Sequence, residues 1–183
     1  MSILKRFAVA LFSIVGLASQ TRAAVPEKSG ADAMRELRLR ALSAPAKEFG
    51  VTPTKDVPRT YAVLIDFPIG QETATLVSIS DGSTSLYTTS TFGIIGGGAH
   101  ESVKSASARL ISSSDKFYDE ATPTKTYPYP ANGKVRFYFV SFRDVRVIEA
   151  DLSLIESNKS KYASLFWLGQ EVFTHLRIAT GIK

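Results

Sequence analysis

The residues best placed to do chemistry lie in one unusual stretch, Phe92-Gly93-Ile94-Ile95-Gly96-Gly97-Gly98-Ala99-His100-Glu101-Ser102, between a β-rich run and a helical pattern. Glycines ahead of a helix start can turn backbone amides toward an anion, and the helix end adds free N–H groups and a positive dipole. Gly96, Gly97 and Gly98 would form the cradle, with His100, Ser102 and Lys104 as neighbouring donors. The order fits neither phosphate-binding fingerprint, because Ala99 and His100 stand where lysine and a hydroxyl are needed. Glu101 would also repel an anion. The competing use of the same glycines is structural, a sharp strand-to-helix reversal against a neighbouring backbone.

Other chemistries have little to work with. The chain has no cysteine, and no Gly-x-Ser-x-Gly elbow is present. His100 and His175 are the two histidines, far apart in sequence, and a zinc site needs three or four ligands with close spacing. The sequence therefore assigns no metal site, no cofactor and no catalytic residue. A small hydrolase remains the alternative, with His100 as general base beside a serine and a carboxylate. Asp66, at the end of an apolar run, reads as a strand-stopping residue that hydrogen-bonds the turn at Phe67-Pro68.

A second candidate surface is Tyr127-Pro128-Tyr129-Pro130, where proline stiffens a backbone bearing two aromatic rings. Tyr127 and Tyr129 could offer those rings to a ligand or partner. Equally, they could fold back and cover the edge of a sheet.

The elements that must position these residues follow from periodicity. Met34, Leu37, Ala41 and Leu42 predict a helix over 32–43, with Arg35, Glu36, Arg38 and Arg40 mostly on its solvated side. Thr60 to Asp66 is a nearly continuous apolar run and reads as a central strand buried on both faces. Runs 73–80 and 83–89 flank Asp81-Gly82, the signature of a type I′ hairpin. A helix follows over 99–118, then a proline-rich loop over 119–133, then strands 134–142 and 145–150 joined through Arg143-Asp144. Ser153 and Glu156 have capping-box spacing, and the last helix breaks near Ser157-Asn158, resumes from Lys161 and ends at Thr180-Gly181. The fold class is α+β, a single layer of mostly antiparallel sheet with about five strands and about three helices in the order α-β-β-β-α-β-β-α.

At the amino end, Lys5 and Arg6 precede an apolar run from Phe7 to Leu17 and a small-residue exit at Ala23, the pattern of a secretory signal peptide. Residues 1–23 are read as that leader, 24–31 as a flexible lead and 32–183 as a single domain. The run is too short to span a bilayer, which needs roughly 20 apolar residues. Cleavage would remove Lys5, Arg6 and Arg22 and no acid, so most of the formal charge of +5 belongs to the leader and is no footprint for nucleic acid.

Arg35-Glu36-Leu37-Arg38-Leu39-Arg40-Ala41-Leu42 and Ser85-Leu86-Tyr87-Thr88-Thr89-Ser90-Thr91-Phe92-Gly93 resemble segments of an uncharacterised bacterial protein family with no assigned activity. The resemblance implies a bacterial source and adds no chemistry. The sequence thus points to an exported, periplasmic or extracellular module that binds a small ligand or an envelope protein without catalysing a reaction.

Overall fold

In a computed structural model, residues 29–181 are described; the leader at 1–23 and most of the lead lie outside the described residues. The strands, in chain order, are β1 (Thr60–Ile69), β2 (Glu72–Ile79), β3 (Thr84–Thr88), β4 (Gly93–Ile94), β5 (Thr122–Thr124), β6 (Lys134–Ser141) and β7 (Val145–Asp151). They form one sheet in the order β4-β3-β2-β1-β6-β7-β5, with every neighbouring pair antiparallel. Four helices accompany it among the described residues: α1 (Gly30–Ser43), α2 (Glu101–Ser114), α3 (Leu152–Glu156) and α4 (Ala163–Ala179).

The apolar run of β1 explains the layering. Val63, Ile65 and Phe67 point to a core completed by Val103 and Leu110 of α2 and by Leu165, Val172 and Leu176 of α4. Ala62 and Leu64 point to the opposite core, completed by Ala41 and Leu42 of α1 and by Tyr138 and Val140 of β6. A strand flanked on both sides and covered on both faces can carry apolar residues throughout, which is why its sequence does not alternate. Pro68 is tolerated because β6 pairs with β1 only as far as Asp66, so the missing N–H falls where only β2 lies alongside.

The α+β class and antiparallel sheet agree with the sequence reading, while the strand and helix counts are larger. The two added strands, β4 and β5, have two and three residues, too few for alternation to register. The added helix is α3, separated from α4 at the predicted break, where Asn158 takes a left-handed φ of 55°.

Other details are corrected. The first helix starts at Gly30, two residues before the expected Asp32, with Ser29 capping the Asp32 amide. Asp81-Gly82 is not a type I′ turn: Gly82 alone has a positive φ, 89°, its N–H donating to Ile79 O (2.9 Å) while the Ile79 N–H donates to Ser83 O (2.9 Å). That is a longer turn ending in a glycine bulge. The Ser153 capping box does not form, because the cap position of α3 falls two residues earlier, on Asp151.

Candidate functional site

The glycine stretch is built into the packing of the β2–β3 turn. Gly97 is buried, and a methyl there would lie 2.3 Å from Leu176 Cδ1 and 3.1 Å from Thr84 O. One on Gly98 would lie 2.4 Å from Gly82 O. Only glycine allows the chain to pass that close. Gly96 supplies a left-handed residue, φ 91°, at the entry to the short 3₁₀ turn Gly97–Ala99. Of the proposed donors, His100 and Ser102 are exposed, and Lys104 is paired with Glu101 at 2.7 Å. His100 makes no side-chain capping bond to α2.

The tyrosine strap folds back over the α1 face of the sheet. Beneath it lies an ion pair that the sequence reading missed. Arg38 and Asp66 are both buried, with Arg38 Nε donating to Asp66 Oδ1 at 3.1 Å and its NH2 to Oδ2. Thr75, directly across from Asp66 on β2, donates its hydroxyl to Oδ1 at 2.5 Å. The Arg38 guanidinium sits 4.2 Å from the Tyr129 ring centroid and donates to Tyr127 O at 2.8 Å. Arg136 NH1 and Tyr138 OH both donate to Pro128 O, at 2.9 and 2.7 Å. The Tyr127 ring packs edge-on against Tyr138 with centroids 6.0 Å apart.

Two expectations are corrected here. Arg38 is not on a solvated face: Met34, Arg38 and Leu42 are spaced four apart and share the inner stripe of α1. Asp66 does not stop β1, which continues to Ile69. Burial pushes the Asp66 carboxyl above its ordinary value, against the hydrogen bonds from Arg38 and Thr75. A lone carboxylate in an otherwise apolar strand needs a partner, and that need was the available signal.

Two concavities lie side by side at the β6–β7 turn. The first, of about 560 Å³, has walls from Leu42, Tyr61, Tyr127, Val140 and Phe142, with Lys125 and Arg143 also lining it. The second, of about 630 Å³, is lined by Arg59, Tyr118, Asp119, Asp144 and Arg146. Both share Ser141, Phe142, Arg143 and Asp144, so the turn forms the ridge between them.

That turn is locked from within. Ser141 Oγ accepts from the amides of Arg143 (3.1 Å) and Asp144 (2.9 Å) and donates to Asp144 O (2.8 Å). Tyr118, carried on the short turn after α2, donates its hydroxyl to Asp144 Oδ1 at 2.5 Å. Arg146 Nε donates to Asp144 Oδ2 at 3.1 Å, and the guanidiniums of Arg146 and Arg59 lie 4.5 and 4.9 Å from the Tyr118 centroid. Burial would raise Asp144, but the hydrogen bonds from Tyr118, Ser141 and Arg146 outweigh it and hold the carboxyl below its ordinary value. Burial, with the Asp144 charge, raises the Tyr118 phenol.

No protein-family model, curated protein or solved structure matches this chain. The geometry alone therefore decides what the site can do. Ser141 has its oxygen already occupied by two amides and no imidazole beside it, so it is poorly placed as a nucleophile. Among the described residues, no group of three His, Cys, Asp or Glu could hold a metal ion. The serine, tyrosine and aspartate of the turn form a support that fixes the backbone between two open clefts. Of the residues singled out in the sequence, Tyr127 lines this site; Tyr129 lies over Arg38, and the glycine stretch packs against the β2–β3 turn. The only sequence signal for the turn cluster was the tight Arg143-Asp144 link.

Proposed function

We propose that the protein is an exported, non-enzymatic binding module whose ligand enters the cleft between the end of α1, the tyrosine strap and the β6–β7 turn. The leader pattern of residues 1–23 supports export. The observation that carries the binding reading is a preformed apolar cleft beside a turn whose serine and aspartate are already satisfied by their neighbours. Such a surface offers apolar contact on fixed walls and leaves no activated group for bond cleavage. Tyr61, buried, packs tilted against Phe142 with centroids 5.1 Å apart and donates its hydroxyl to Ala44 O at 3.1 Å, so the aromatic side chains open to the cleft are the half-buried Phe142 and Tyr127.

Indole, a small uncharged aromatic, is a suitable first probe. It should bind the full chain saturably at millimolar concentration, and Ser43→Trp, which places a bulky ring at the exposed rim, should abolish binding without lowering the melting temperature. The hydrolase alternative is tested beside it with p-nitrophenyl acetate. Ester cleavage above buffer that disappears in His100→Ala would replace the binding reading.

A further inference from the structure

We infer that the ligand of this cleft is a small apolar or aromatic monocarboxylate whose carboxylate is received by Arg143; this rests on the cleft being the binding site. Four cations line the paired clefts, and two are already engaged. Arg59 holds Asp119 at 3.0 Å and donates to Asp115 O at 2.8 Å, and Arg146 holds Asp144 at 3.1 Å against the Tyr118 ring. The side chains of Arg143 and Lys125 make no hydrogen bond or ion pair with any described residue. Both border the apolar cleft, and Arg143 borders the charged one as well.

The position of Arg143 is fixed from below. Its amide donates to Ser141 Oγ, and the next residue, Asp144, is held by Tyr118, Ser141 and Arg146. An exposed guanidinium is thus carried on a rigid turn at the junction of an apolar wall and a charged one. Its planar fork matches a carboxylate through two parallel hydrogen bonds, which the point charge of Lys125 cannot reproduce. Asp144 lines the same cleft as Arg143, and its carboxylate opposes a second negative charge brought there, so a single negative charge suits the site better than a phosphate. The volume of about 560 Å³ falls in the range of small-molecule pockets, roughly 300–1,000 Å³, and accommodates an amino-acid-sized body.

Calorimetric titration of the full chain with N-acetyl-L-phenylalanine, its neutral amide and phenyl phosphate separates these claims. The acid should bind about tenfold tighter than the amide, as a charge-assisted pair implies. Arg143→Gln should reduce the acid to the affinity of the amide while leaving the amide and the melting temperature unchanged. Equal binding of acid and amide, both blocked by Ser43→Trp, would overturn the carboxylate assignment and leave the cleft standing. Tighter binding of phenyl phosphate would overturn the monocarboxylate class. An acid preference that survives Arg143→Gln would overturn the role of Arg143. Binding of none of the three, or binding indifferent to Ser43→Trp, would overturn the cleft itself.

Discussion

Arg38 and Asp66 hold the strap and the sheet together at a point where neither could be left alone. Removing one partner strands a charge in the core, whereas removing both leaves an apolar gap that neighbours can partly fill. Arg38→Met should therefore cost about 3–5 kcal/mol in urea denaturation, and Arg38→Met combined with Asp66→Leu should be more stable than the single variant. No loss in the single variant would mean the pair is not sealed under the strap. Asp144 makes a second prediction, on pH. Its folded carboxyl lies below the ordinary value of 3.8, so it contributes stability above that value, and the contribution is lost as pH falls through 3.8 toward the lower folded value. Asp144→Asn should lower the neutral-pH melting temperature and flatten its fall between pH 5 and pH 3, the region where carboxylates titrate. An unaltered acid limb would argue against the Tyr118 and Arg146 contacts. Arg38 shows how such residues escape a sequence reading: periodicity places it on the inner stripe, but composition assigns an arginine to solvent, and only its distant partner resolves the conflict.

At the level of elements, β1, β2, β3, β6 and β7 and helices α1, α2 and α4 are legible because each carries a long enough apolar pattern. The edge strands β4 and β5 are not, since two or three residues show no period and exist only through pairing with β3 and β7. The turn chemistry was half legible. Glycine at position 82 announces a positive φ, but whether one or two residues adopt it depends on the register of β2 against β3. The glycine stretch is legible as a reversal, and the structure supplies the reason, contact with the β2–β3 turn. Gly98→Ala should destabilise by about 1–3 kcal/mol, because its methyl meets a backbone oxygen and not a side chain that can move. Ser102→Ala, on the exposed start of α2, should change the denaturation midpoint little; equal effects of the two would mean the loop is not packed as described.

Across the whole molecule, one sheet separates two cores, and the cleft belongs to the thinner side. On the α2–α4 face the sheet is covered by long helices; on the other, cover comes from α1, the connector before β1 and the strap, and the gap left between α1, the strap and the β6–β7 turn is the cleft. That asymmetry could not be read from the chain, because which elements share a face depends on strand order. No helix among the described residues is long and apolar enough to cross a membrane. The most direct test of the account is an amide chemical-shift map of the full chain titrated with N-acetyl-L-phenylalanine. Saturable shifts are predicted at Tyr127, Val140, Phe142 and Arg143. Shifts centred on Gly97, Gly98 and Ala99, or none at millimolar ligand, would contradict it.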